Sequence, residues 1–324
     1  MRNGVLGIDI GGTRTKFGLV NESGDLEFKG SIPTQGHISL KRYLEVIHKE
    51  ITKNMANRDI SLKAIGIGAP KGNQETGCIE EAYNLLSWGD TLPIASFASD
   101  LFRVPAFLLN DSDASAIGEM EFGEAKGCED FIVVTLGTGV GGGIITNGTL
   151  LRGSKGAAGE IGHMVVDWDG RQCKCGRIGC LETYASASGV VRTMRDLLVW
   201  KRGGHEEIHD YDSCEYIAQA ARNGDSLAIK AFEYTGKKLG MALANITAII
   251  DPEAIILSGG VAQAGELLLG PVKTHFDEFA MDAYRGKVEI KTSKAEDRNM
   301  AVMGAAGFAM RALGQHPWKI VKRA

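Results

Sequence analysis

No part of this chain is strongly basic. Lysine and arginine total 36 against 40 aspartates and glutamates, for a formal net charge of −4. The cations are dispersed rather than gathered into a block or stripe, which argues against a nucleic-acid partner. Long apolar runs are also missing. The longest, around Met241 to Ile250, contains Asn245 and stops at Asp251 and Pro252, well short of the ~20 residues a membrane span needs. Asp9 interrupts the N-terminal apolar run too early for a secretory leader, and no small-residue cleavage site follows it. The expectation is a cytoplasmic protein with no membrane partner and no low-complexity segment. The Gly-Lys pairs at 236–237 and 286–287 lack the Ser or Thr that would complete a P-loop. Gly137, Gly139 and Gly142 satisfy G-x-G-x-x-G, but the β-type residues Ile144, Ile145 and Thr146 follow where a dinucleotide site needs a helix.

Glycine is the residue in excess. The 43 glycines among 324 residues are about twice the ordinary share, and they cluster at the ends of apolar runs, where a backbone must approach something closely. Residues 4–10 and 15–20 read as a hairpin broken by Gly11, Gly12 and Thr13, with a third strand near 27–32. Leu40, Tyr43, Leu44, Ile47 and Ile51 fall at helical spacing. Residues 64–68 read as a strand, 93–102 as a helix and 106–109 as a strand, and a helix opens at Asn110–Asp111. The pattern then restarts, with a strand at 131–136, a glycine turn over 137–143 and a strand at 144–146. Long helices are expected near 181–197 and 225–247, and a strand at 254–257 leads into Ser258, Gly259 and Gly260. The repeat of strand, glycine-threonine turn and strand predicts two similar α/β lobes. They are expected as a small lobe over 1–113, possibly joined by 312–324, and a large lobe over 114–311. Residues 201–212 are expected to form a surface loop.

Tight glycine turns aim several backbone N–H groups at one cluster of oxygens, which suits phosphate. The candidate nucleotide contacts are Asp9, Gly11, Gly12, Thr13 and Lys16 at the first turn, Gly137, Thr138 and Gly139 at the second, and Gly259 and Gly260 after the later strand. Asp9 suits Mg²⁺ held through water. The bland alternative is a pair of simple hairpins. Asn110 and Asp111 stand where a buried strand meets a helix, the usual place for ligand chemistry in an α/β sheet. Asp111 suits a base that accepts a proton from an attacking hydroxyl; as an aspartate, it equally suits a helix N-cap.

His163, Cys173, Cys175 and Cys180 follow the spacing H-x9-C-x-C-x4-C. One imidazole and three thiolates make a closed, structural zinc set, and in a reducing cytosol clustered cysteines favour metal over disulfide. A redox pair is the alternative. Cys78, Cys128 and Cys214 stand alone and are expected to be buried as small apolar groups. A metal-locked loop would hold Glu160 and Glu182 rigidly, and carboxylates suit sugars because they accept hydrogen bonds from several hydroxyls; otherwise both are surface carboxylates.

Taken in order, the first turn, Asn110–Asp111, residues 136–143, the segment Gly159-Glu160-Ile161-Gly162-His163, the cysteine cluster with Leu181 and Glu182, and Ser258-Gly259-Gly260 resemble the ROK family of repressors, open reading frames and sugar kinases. The resemblance spans about residues 4–310, is most specific in the cysteine loop and the residues to Gly189, and within the family is strongest to bacterial glucokinases. It implies an actin-like (ribonuclease H-like) two-lobed ATPase fold with ATP in a cleft between the lobes. It implies ATP-dependent phosphorylation of a hexose, glucose favoured, at the 6-hydroxyl, with Asp111 as base and Gly72, Asn110, Glu160, His163 and Glu182 at the sugar. His163 would also ligate zinc. Asn73 departs from the family's Gly-x-Val at that edge of the sugar site. A homo-oligomer, dimer or tetramer, is implied. The alternatives are a kinase for fructose, N-acetylmannosamine or N-acetylglucosamine, a noncatalytic sugar sensor, or a transcriptional regulator. The last would carry a helix-turn-helix ahead of the first strand, where only Met1, Arg2 and Asn3 stand.

Overall fold

The computed structural model describes residues 2–34, 38–56, 58–80, 91–202, 211–294 and 298–314. The chain forms two compact units, residues 1–127, 150–158 and 294–324, and residues 128–149 and 159–293.

The first unit opens with β1 (Arg2–Ile10), β2 (Arg14–Asn21), β3 (Leu26–Pro33), α1 (Leu40–Met55) and β4 (Ile60–Ala69). The short strands β5 (Gly72–Asn73), β6 (Cys78–Glu80) and β7 (Thr91–Leu92) form a small sheet of their own, and α2 (Ile94–Phe102), β8 (Ala106–Asn110) and α3 (Asp111–Phe122) follow. The main sheet runs β3-β2-β1-β4-β8, antiparallel through β1 and parallel from β1 to β8. Parallel strands are covered on both faces and so read as near-continuous apolar runs, as β1 and β4 do. The apolar stripe of α1 (Tyr43, Leu44, Ile47, Ile51) is fully buried with Leu6, Ile8 and Ile67.

The second unit contains β9 (Phe131–Leu136), β10 (Val140–Thr146) and β11 (Thr149–Leu150), then α4 (Glu182–Ala185), α5 (Ala187–Arg202), α6 (Cys214–Arg222), α7 (Ser226–Ile250), β12 (Ala254–Ser258), α8 (Glu266–Phe279) and β13 (Glu289–Thr292). Its sheet is β11-β10-β9-β12-β13, again an antiparallel hairpin followed by parallel strands. The chain closes with α9 (Met300–Ala312), which belongs to the first unit.

Three details differ from the sequence reading. The expected boundary after Asp113 falls inside α3, and both α3 and α9 belong to the first unit. The turn expected over 137–143 is confined to 137–139, because Gly141, Gly142 and Gly143 are strand residues paired with β9. Gly142 is there for close approach: a Cβ would lie 2.7 Å from the Gly159 carbonyl oxygen and 2.4 Å from Ile161. The helix expected over 181–197 is interrupted at Ser186, which is extended (ψ 166°) between α4 and α5. Most of the loop expected over 201–212 lies outside the described residues, as do residues 315–324. Among the described residues, no helix is long and apolar enough to cross a membrane.

The packing of α9 sets the geometry of the first unit. A Cβ at Gly7 of β1 would lie 2.0 Å from the Val302 carbonyl oxygen, and one at Gly66 of β4 would lie 1.7 Å from that of Ala305. The helix backbone therefore rests directly on the sheet backbone, on the face where Val5, Val20 and Ala64 meet Met303, Ala306 and Ala309. Gly304 of α9 is equally close to the Ala114 carbonyl of α3. Replacing Gly66 with alanine drives a methyl into a main-chain carbonyl that cannot move aside. The expected loss is about 3 kcal/mol, the upper end for overpacking; an unchanged denaturation midpoint would contradict this packing.

Candidate functional site

In the first unit, the ends of β1, β4 and β8 come into register. Asp9 pairs with Gly68, Gly68 with Leu109, and Ala69 with Asn110. Asp9 and Asn110–Asp111 thus stand at the carboxyl edge of the parallel strands, with β4 between them, where α/β sheets place their ligands. Asn110 is the cap of α3: its side-chain oxygen accepts the Ser112 N–H at 2.9 Å. Asp111 is the first helical residue, and its Oδ1 also accepts from Ser112 at 2.9 Å. The capping that aspartate chemistry suggested for Asp111 is therefore Asn110's.

Burial raises the Asp9 carboxyl from the ordinary aspartate range to about 6. The Asp111 charge adds to the rise, while the cross-strand Lys16 cation and a hydrogen bond from Asn299 oppose it. Two carboxylates that repel each other at a sheet edge fit a divalent cation, which would relieve both. The Gly11–Thr13 turn is braced from behind. Thr34 Oγ1 donates to the Gly11 carbonyl at 2.7 Å, Thr34 N–H donates to that of Thr13 at 2.9 Å, and Thr15 links Thr34 to the Tyr43 hydroxyl. A Cβ at Gly12 would meet nothing within 4 Å. The fold's own packing does not require that glycine, which is what a backbone bared for an incoming phosphate would show. Gly72, by contrast, is required by packing, since a Cβ would lie 2.5 Å from the Leu109 carbonyl. Asn73 is taken up within its own hairpin: its amide donates to Glu80 at 3.2 Å and its oxygen accepts the Glu75 N–H at 2.9 Å.

The second unit presents Gly137, Thr138 and Gly139 between β9 and β10. Gly137 N–H donates to the Gly139 carbonyl at 2.9 Å, and the Gly137 carbonyl accepts from Ala187 N–H at 2.8 Å. That second bond comes from the first residue beyond the break at Ser186. Glu182 Oε2 accepts the Val140 N–H at 3.0 Å and stands where a Cβ on Gly139 would be. Glu182 therefore braces the glycine turn, a contact the sequence reading did not include. A Cβ at Gly137 or Gly260 would also meet nothing within 4 Å, while Gly259 (φ 91°) lies against the Leu136 carbonyl. Gly159 to His163 lies flush on β10, since a Cβ at Gly162 would sit 2.0 Å from the Val140 carbonyl oxygen.

His163 Nδ1 is 3.7 Å from Cys173 Sγ, Cys175 Sγ is 3.6 Å from Cys180 Sγ, and the four ligand atoms lie within 4.8 Å of one another. Tetrahedral zinc with Zn–S bonds of about 2.3 Å separates its sulfurs by about 3.8 Å, so the spacing fits. The other ring nitrogen of His163, Nε2, is 3.8 Å from Glu160. Burial and then the neighbouring sulfurs push Cys180 up to about 12. For Cys175, burial is outweighed by hydrogen bonds to its thiolate, first from the Arg177 backbone, which pull it down to about 6. Cys78, Cys128 and Cys214, expected to be buried, are all partly exposed.

Behind the cysteine loop lies a polar network that sequence reading missed. The buried Arg171 donates to the carbonyls of Thr183 (2.7 Å) and Gly189 (3.1 Å), to Thr193 (2.9 Å) and to Asp196 (2.8 Å). Its guanidinium lies 4.6 Å from the centre of the Tyr184 ring. The Tyr184 hydroxyl accepts from Arg171 N–H and donates to Asp167, which Lys238 also holds at 2.9 Å. No local signal marks Arg171, because its burial follows from tertiary packing.

The family model described as ROK family matches residues 5–312. A glucokinase of Halalkalibacterium halodurans is 34% identical over 287 residues, covering 85% of this chain and 86% of that one. A xylose repressor of Caldicellulosiruptor bescii is 30% identical over 304 residues, covering 91% and 75%. The solved structure of a ROK family glucokinase from Streptomyces griseus, in complex with glucose and AMPPNP, is 30% identical, covers 95% of this chain and 99% of that one, and has a TM-score of 0.81. The fold is the actin-like (ribonuclease H-like) one of two α/β lobes.

The raised Asp9 pKa has a consequence for stability. Between about pH 4 and 6 the folded protein holds a proton that the unfolded chain releases. Stability therefore falls as pH rises through this window, and the loss is complete above pH 6. A shift of about two units corresponds to about 3 kcal/mol at most. Asp9→Asn is expected to raise the Tm at pH 7.5 without Mg²⁺, with the gain shrinking as pH falls through 6. A Tm at pH 7.5 equal to or below wild type would contradict it.

Proposed function

The chain belongs to the ROK family, and on that footing we propose that it is a sugar kinase transferring phosphate from ATP to the 6-hydroxyl of a hexose, with glucose the favoured substrate. The observation that carries this reading is the pair of interacting carboxylates, Asp9 and Asp111, at the carboxyl edge of the parallel strands of one sheet. One belongs beside a glycine turn suited to phosphate, and the other begins a helix that a neighbour already caps.

In this reading Asp111 orients the sugar 6-hydroxyl and takes its proton late, because phosphoryl transfer is loose and places little early demand on a base. Asn110, Glu160, His163 and Glu182 accept from or donate to the other hydroxyls, and Gly72 offers its backbone. The N–H groups of the Gly11–Thr13 and Gly137–Gly139 turns meet the ATP phosphates, with Lys16 adding charge, and Gly259 and Gly260 lie along the nucleoside. Asp9 would hold Mg²⁺ through water, since Mg²⁺ gives up its hydration reluctantly, and the ion would supply charge neutralisation for the phosphates. His163 Nδ1 and the sulfurs of Cys173, Cys175 and Cys180 hold structural zinc, which fixes the loop bearing Glu160. The His163 ring then keeps Nε2 on the Glu160 side.

A coupled ADP-release assay across hexoses and N-acylhexosamines tests the activity. Glucose is expected to give the highest kcat/KM; faster turnover of N-acetylmannosamine, N-acetylglucosamine or fructose would move the substrate, and sugar binding without ADP release would make the chain a sensor. Asp111→Asn is expected to lower kcat by about a thousandfold, within the range for a general base, while glucose still binds; near-normal turnover would remove Asp111 from that role. Cys175→Ser is expected to lose zinc and lower the Tm, since structural zinc contributes directly to folding. Protein purified without chelator that holds no zinc would contradict the metal assignment.

A further inference from the structure

Asn299 is 290 residues from Asp9 in sequence, yet its Nδ2 donates to Asp9 Oδ2 at 3.2 Å. The other end of the same amide is also committed, because Oδ1 accepts the Val302 N–H at 3.0 Å and caps α9. An amide whose oxygen accepts a main-chain N–H must turn its nitrogen the other way, so the cap itself fixes the donor that faces Asp9. Val302 is in turn fixed against β1, since its carbonyl occupies the space a side chain at Gly7 would need. Gly7 lies two residues before Asp9 on the same strand. The contacts form a closed ring: strand backbone, helix backbone, cap side chain and carboxylate.

We propose that Asn299 is a positioning residue that holds the Asp9 carboxylate in the orientation needed for the divalent cation bound with the nucleotide. This rests on the sugar-kinase reading. Nothing in the residues around Asn299 marks it in the sequence; as an N-cap, any of Ser, Thr or Asp would serve. Asn differs from these in supplying an acceptor for the helix and an N–H donor for a carboxylate from one planar group. A hydrogen bond to one carboxylate oxygen sets the plane of the group, and removing such a partner of a metal-binding side chain typically costs about 10- to 100-fold in metal affinity.

The full-length chain with Asn299→Ser and Asn299→Ala separates this role from capping. Serine caps a helix well but lacks the amide donor, whereas alanine lacks both. The probe is Mn²⁺, titrated by electron paramagnetic resonance against the protein with a non-hydrolysable ATP analogue. N299S is expected to keep the wild-type Tm and KM for glucose, to bind Mn²⁺ about 10- to 100-fold more weakly and to need correspondingly more Mg²⁺ for turnover. N299A is expected to show the same metal defect with a lower Tm. Wild-type Mn²⁺ affinity in N299S overturns the proposal, as does a metal defect that appears only in N299A and follows its Tm. A wild-type protein that releases no ADP with any sugar overturns the kinase reading instead, so the two failures are distinguishable.

Discussion

The structure of the first unit depends on one contact, the backbone of α9 lying against the backbones of β1 and β4. A helix normally stands off a sheet by the length of its side chains. Here Gly7 and Gly66 remove that spacer, and the carbonyls of Val302 and Ala305 fill the space. Interiors are packed too densely to absorb such a contact elsewhere, so the height and register of α9 follow from it. Those in turn place the N-terminus of α9 beside the end of β1, where Asn299 meets Asp9. The same helix is locked to α3 at Gly304, and α3 begins with Asp111. The carboxylate pair is thus carried by two elements that share one rigid support.

The second unit solves its positioning problem by different means. Its glycine turn is held by Glu182 at Val140 and by Ala187 at Gly137, and both residues follow directly on the cysteine loop. The break at Ser186 is what allows Ala187 to reach the turn. Arg171 and Tyr184 tie the base of the loop to α5. A metal in the cysteine site would therefore act on more than local folding, because the cysteine loop runs straight into the residues bracing the turn.

Much of this was legible in the sequence because the signals are local. Each hairpin reads from a short apolar run, a glycine turn and a second run. Asn110–Asp111 reads from its place at a strand end, and the cluster of His163, Cys173, Cys175 and Cys180 reads from residue type and spacing. The parts that were not legible depend on tertiary proximity. Gly141 to Gly143 look like a turn until Gly159 and Ile161 are seen packed over the strand. Ser186 looks helical until the Ala187 N–H finds Gly137. The first unit regains the chain after residue 293, and no composition shift marks that return. Asn299 and Arg171 carry no signal of their own, since a cap and a surface arginine are the ordinary readings of such residues.

In the proposed reaction, the two carboxylates on one rigid sheet edge direct ATP to a sugar hydroxyl. The measurement that tests this most directly is phosphorus NMR of the protein with MgATP and glucose, followed until ATP is consumed. One new phosphomonoester is expected, coupled to the C6 protons of glucose and equimolar with ADP. Inorganic phosphate with ADP and no sugar ester, or ATP left intact, would contradict it.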